Sequence, residues 1–296
     1  MNLRLLFSSF LSIGILAVSS HLRAAESSTL PTVTVTAPVG SLAEDTNVGT
    51  YNQPEWTGHR RFASTRVYIQ KDPWEVGFEQ WWRARTYKDK DPAHRFIEEL
   101  EIGLPGRLQL DLYYNWTHQE GETRFDEAAV EVRWALADWG KIWGNPTLYI
   151  EYAFVNNEYG GDTLESKVLL GDDFGKGWHW GLNFIFETEL SQERAKAVQI
   201  SGGLSKTIID QVLSAGVEWK WQRETIAGER SNAEVLFEVG PSLQWRISKK
   251  THLDLVALFG CTDQGPRVES FVVFGWDFGG GESKSRGGYT PTAVRQ

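Results

Sequence analysis

From about Pro73 to Phe278, apolar and polar side chains take turns, and a short polar turn interrupts the alternation every ten to twelve residues. In Arg107–Thr117 one face collects Leu108, Leu110, Leu112, Tyr114 and Trp116, and the other collects Gln109, Asp111, Asn115 and Thr117. A period of two is that of a strand, because successive side chains of an extended backbone point to opposite faces. The pattern predicts twelve strands, at 73–85, 94–104, 107–117, 126–136, 146–155, 163–170, 177–187, 197–205, 211–222, 232–246, 251–261 and 268–278. Each runs about ten residues, the length a tilted strand needs to cross a bilayer. Beyond the leader no stretch offers 18 consecutive apolar residues, so any crossing falls to strands, and only a closed sheet satisfies every backbone group in lipid. The expected fold is all-β: an antiparallel up-and-down transmembrane β-barrel of about 12 strands, its apolar face on lipid and its charged face on a lumen. The competing fold, a soluble β-sandwich with an aromatic core, would need no acidic second face on nearly every strand.

The chain begins with Arg4 and the apolar run Leu5–Val18, followed by small residues near Ala24 and Ala25. That is the layout of a cleaved signal peptide, here residues 1–25. Loss of Arg4 and Arg23 would take the formal charge from -9 to -11, a balance that argues against a nucleic-acid partner. A single cysteine, Cys261, excludes an internal disulfide. The 14 Trp residues suit a membrane-spanning chain, since Trp and Tyr gather at membrane interfaces; Trp74, Trp81, Trp82, Trp116, Trp134, Trp178, Trp180, Trp219, Trp221, Trp245 and Trp276 all fall in or beside expected strands. Residues 26–72 are rich in Ser, Thr, Pro and Gly with no sustained period, and are expected to form a flexible periplasmic N-terminal segment. Residues 279–296, glycine-rich and polar, are expected to be a disordered tail. An even strand count puts both barrel ends in the periplasm, with Leu104–Arg107 and Ile247–Lys250 as inner turns and His118–Phe125 among the outer loops. Two places break the pattern: Glu98 falls in the lipid-facing phase, and Leu253–Phe259 is apolar at nearly every position. A bulge or a strand end at the interface would account for either.

The expected lumen faces carry 16 acids, and six bases, Arg83, Arg85, Arg107, Arg133, Lys167 and Lys220, stand against them. The candidate pore-lining residues are Glu79, Arg83, Glu101, Asp111, Glu131, Arg133, Glu151, Lys167, Glu187, Glu218, Lys220 and Glu238. Unmatched carboxylates confined by a low-dielectric wall focus a field that draws cations. Open and filled lumens both remain possible at this strand number, which lies between filled eight-strand and open sixteen-strand barrels.

No His-x-Ser pair, Gly-x-Ser-x-Gly, His-Glu-x-x-His or phosphate-binding glycine loop occurs, so no enzyme, metal or cofactor is expected. Leu30–Ala37, Leu-Pro-Thr-Val-Thr-Val-Thr-Ala, resembles the TonB box of energised outer-membrane receptors, an extended run able to add to a partner's sheet edge. The resemblance implies that Thr32, Val33, Thr34, Val35 and Thr36 bind a periplasmic energising protein. Val272–Phe278 resembles the closing strand read by the barrel assembly machinery. Signal, strand count and closing strand together resemble small Gram-negative outer-membrane barrels, the twelve-stranded channel class, including members of uncharacterised families. The likeness implies an outer-membrane channel for passive diffusion of small hydrophilic solutes. The acidic lumen makes those solutes neutral or cationic; the alternative is a filled structural or interaction barrel bound to a periplasmic partner through its N-terminal segment.

Overall fold

The computed structural model describes residues 42–279. The expected signal peptide, the run Leu30–Ala37 and the tail beyond Gly279 lie outside the described residues. Twelve antiparallel strands form one closed barrel in sequence order: β1 (Glu75–Thr86), β2 (Ala93–Leu104), β3 (Leu108–Gln119), β4 (Glu122–Ala135), β5 (Thr147–Val155), β6 (Thr163–Asp173), β7 (Trp178–Glu189), β8 (Lys196–Ile209), β9 (Leu213–Thr225), β10 (Glu234–Ser248), β11 (Thr251–Gly260) and β12 (Val268–Gly279). Closure is made by β1 against β12, from Glu75↔Gly279 to Thr86↔Val268. No edge is left unpaired, the condition for a sheet in hydrocarbon. The period-two pattern anticipated all twelve strands, with ends displaced by a few residues.

Connections are short. Between β3 and β4 the expected loop His118–Phe125 tightens to a two-residue turn at Glu120 and Gly121, both at positive φ (53° and 82°), the backbone that a hairpin of this length requires. The register slips at three places, opposite Asn115/Trp116, Thr207/Ile209 and Arg246/Ser248. None of them lies at Leu253–Phe259. That run is apolar on both faces for another reason: Val256 and Leu258 point inward and pack with Trp81, Phe271 and Val273 around Ala63.

The outer surface is apolar along the strands, with Val132, Leu148, Ile150, Phe184, Val198 and Phe274 among its exposed side chains. Trp74, Trp134, Trp143, Trp178, Trp245 and Trp276 stand exposed near the mouth that carries both barrel ends, a girdle of the kind that sits at a membrane interface. Trp81 departs from the expected interfacial placement: it is buried in the lumen with the Arg60 guanidinium 4.2 Å above its ring. Glu98 does face outward, where Trp116 Nε1 donates to it at 3.2 Å.

The largest departure concerns the N-terminal segment. Residues 42–72, expected to be flexible and periplasmic, run up into the barrel and back down, with one short 3-10 turn at Glu55–Gly58. Trp56, Phe62, Tyr68 and Ile69 are at most 1% exposed. Such burial is what a mobile polar leader lacks. The long connection between β4 and β5 also turns inward: Trp139 meets Trp56 and Tyr68 edge-on, at ring centroids of 5.6 and 5.3 Å.

Candidate functional site

All twelve candidate pore-lining residues lie on the inward phase of their strands, fixed by the cross-strand register. They divide by height, taking the mouth with both barrel ends as the lower one.

The lower half is filled. At that level Glu79, Glu99, Asp111, Arg133, Thr147, Leu169, His179, Ser201, Glu218, Gln244, His252 and Val273, one from each strand, are no more than 4% exposed. The inner segment contacts the wall mainly through charge. Arg60 donates from Nε to Glu79 (2.8 Å) and from Nη2 to Glu99 (3.2 Å). Arg66 donates to the other oxygen of Glu99 (2.7 Å) and to the Tyr113 hydroxyl (3.0 Å). Lys71 reaches Asp277 (2.5 Å) and Glu101 (3.2 Å). At the top of the excursion Glu218 accepts from the Ala63 and Ser64 amides (3.1 and 2.7 Å) and from the Ser64 hydroxyl. Lower down, Asp210 accepts from the Ala43 amide, and Asp45 contacts His179 at 2.9 Å. Within the wall Arg133 bonds Asp111, Glu131 and, at 2.9 Å, Gln70 of the segment. Carboxylates such as Glu79, Glu99 and Glu101, close enough to share a metal ion, are thus compensated by side-chain cations. Burial drives the His59 imidazole down to about 4, although Asp277 lies 3.0 Å away and pulls the other way. For Lys71, burial is outweighed by Glu101 and Asp277, which hold its ammonium protonated above the usual range.

Shape as well as charge receives the segment. Gly171, Gly181 and Gly203 are successive register partners on β6, β7 and β8, and all face inward. A Cβ on Gly203 would come within 2.4 Å of the Phe62 ring, and one on Gly171 within 2.4 Å of Val67. The glycine row is a seat that any larger residue would fill.

Above the seat the lumen side chains are of both kinds: Arg83, Arg85, Glu165 and Lys167 are part-exposed, while Lys220, Glu238 and Glu269 are buried. Six carboxylates follow one another as direct register partners across six strands: Glu101, Asp111, Glu131, Glu151, Glu165 and Glu187. Strands of a closed barrel tilt, so such a row climbs the wall; this one rises from the buried level into the upper half. Direct like-charge pairing is costly in a sheet, and the upper members have few cations to relieve it: Lys167 lies 2.6 Å from Glu165, and Tyr149 donates to Glu151. On the opposite wall Arg83 and Arg85 both donate from Nε to one oxygen of Glu269 (2.6 and 2.5 Å), and Lys220 bridges Glu269 and Glu238. Arg95 pairs with Glu127 at 2.5 Å. Arg95 and Arg246 were missing from the sequence-derived lining, although each sits in phase with an inward neighbour, Glu99 and Gln244 respectively. The N-terminal candidates Thr32–Thr36 lie outside the described residues.

No protein-family model matches the sequence, and no curated relative does. Among solved structures the barrel is similar to the NanC porin (TM-score 0.50, 13% identity, 69% of this chain and 98% of that one). It is also similar to an outer-membrane channel from Pseudomonas putida F1 (TM-score 0.52, 11% identity, 71% and 98%). At such identities the likeness is one of fold, that of a small outer-membrane barrel.

Proposed function

From the fold shared with these outer-membrane channels, we propose that the protein is itself an outer-membrane channel for small hydrophilic, cation-bearing solutes, closed in the described conformation by residues 42–72. The observation that carries this reading is the make-up of the contact between segment and wall. A barrel meant to stay filled gains more from an apolar interior, because buried ion pairs repay little of their desolvation. Here the wall is acidic and the segment brings Arg60, Arg66 and Lys71 to it, cations that water and cationic solutes can replace. The climbing row of carboxylates supplies the attraction for cations.

A filled structural barrel is the second reading, favoured by the burial of Trp56, Phe62 and Ile69. Bilayer recordings separate the two. A Gly181→Leu, Gly203→Leu double variant occupies the seat and should turn a mostly silent protein into one with steady conductance steps. A correctly inserted double variant that stays silent would leave only the filled reading.

A further inference from the structure

Across the upper lumen, charge is separated between facing walls. In a ring of twelve, β12 and β1 stand diametrically opposite β6 and β7. The first wall holds Arg83 and Arg85 of β1 over the single carboxylate Glu269 of β12, which Lys220 reaches from β9, where it also meets Glu238 of β10. The second holds Glu151, Glu165 and Glu187, three carboxylates against Lys167.

The basic wall is built rather than merely crowded. Glu269 is fully buried, and one of its oxygens takes the Nε–H of both arginines, which fixes the two guanidiniums side by side. Their side chains are 22% and 36% exposed, and among the described residues their terminal nitrogens have no hydrogen-bond partner. Two held guanidinium forks aimed at water match the two oxygens of a carboxylate. The floor between the walls is the top of the inner segment, where Ser64 and Arg66 are bound to Glu218 and Asn183.

We propose that this upper chamber binds a small dipolar solute, its carboxylate on the Arg83–Arg85 pair and its ammonium on the Glu151–Glu165–Glu187 row. A solute with one charge would satisfy one wall and leave the other facing it unpaired; a zwitterion satisfies both. The proposal rests on the channel reading for its purpose, since the chamber would be where solute waits above the closed segment, but binding itself needs no permeation.

The test is saturation-transfer NMR on the full chain in deuterated detergent at low ionic strength, with γ-aminobutyrate as dipolar probe and butyrate and butylammonium as single-charge controls. A charge-assisted contact is worth about 1.5–3 kcal/mol, so each control should bind roughly tenfold or more weakly than γ-aminobutyrate. Arg83→Gln with Arg85→Gln should bring γ-aminobutyrate down to the level of butylammonium, and Glu165→Gln with Glu187→Gln down to that of butyrate. If the arginine pair proves necessary for insertion, adding Glu269→Gln removes the buried carboxylate that only Lys220 would still neutralise and restores a usable variant. Equal binding of all three probes, no binding at all, or unchanged affinity in folded variants overturns the proposal. Selective binding to a barrel whose seat variant conducts nothing would uphold the chamber and refute the channel; conductance with no discrimination would do the reverse.

Discussion

Individual side chains in the lower lumen are buried against charged partners on a facing element, and this makes their removal expensive. Arg60 stands between Glu79 and Glu99, all three almost wholly buried. Arg60→Met would leave Glu79 without its guanidinium and Glu99 leaning on Arg66, a loss of about 3–5 kcal/mol in seating the segment. The expected readout is a lower melting midpoint in detergent and faster proteolysis within 42–72, with part of the loss recovered by adding Glu79→Gln. Full protection in Arg60→Met would show that the ion pairs are incidental to seating. The glycines obey the same logic in reverse: Gly203 matters for the space it leaves to Phe62. As a sequence feature it is an ordinary strand glycine, and only the ring lying against it shows why a side chain there would be costly.

As an element, the inner segment is held by groups whose protonation differs between the seated and the solvated state. His59 has a lowered value of about 4 when seated, against 6.5 when free. Seating therefore sheds protons: its full contribution is present above about 6.5 and is lost as pH falls toward 4. The total is about 3 kcal/mol by proton linkage. The groups facing His59 are Asp277 from β12, His252 from β11 and Arg246 from β10; Asp277 opposes the shift, and the other two reinforce it. Conductance, or protease access to residues 42–72, should rise between pH 6.5 and 4, and His59→Gln should flatten that rise. A profile unaffected by the substitution would remove His59 from the account. The β4–β5 connection belongs to the same unit, since Trp139 closes over Trp56 and Tyr68. Its length, unusual for an inner turn, is explained by that clamp.

At the scale of the whole molecule, the wall and its occupant balance one another. With the segment unseated, the carboxylate row from Glu101 to Glu187 keeps Arg133 and Lys167 but loses Lys71 and its neighbours. Repulsion along the row is then screened only by salt, over about 10 Å at 0.1 M. The glycine-seat variant should accordingly melt lower than the wild type at low ionic strength, and the gap should narrow as salt is added. Its reversal potential in a salt gradient should show cation preference, weakened by Glu151→Gln with Glu165→Gln. An unchanged potential would mean that the row does not line the path.

How much of this was legible beforehand depends on the range over which each signal acts. Alternation along a strand is local: Leu108 to Trp116 on one face and Gln109 to Thr117 on the other prescribe an extended backbone with two unlike sides, and twelve such stretches have few ways to close other than a barrel. The inward direction of Glu79, Glu131 and Glu187 came with that phase. Residues 42–72 carry no period, so nothing in their order distinguished a tethered leader from a lumen-filling one. Their placement depends on Arg60, Arg66 and Lys71 meeting Glu79, Glu99, Glu101 and Asp277, up to 206 residues apart, and on three glycines that become neighbours only when β6, β7 and β8 pair. By itself the amino-acid order determined strands, phase and closure, because these arise from backbone geometry and burial along the chain. Whether the enclosed space is occupied, and which charges confront each other across it, only the tertiary structure decided, because both are set by contacts between residues far apart in sequence.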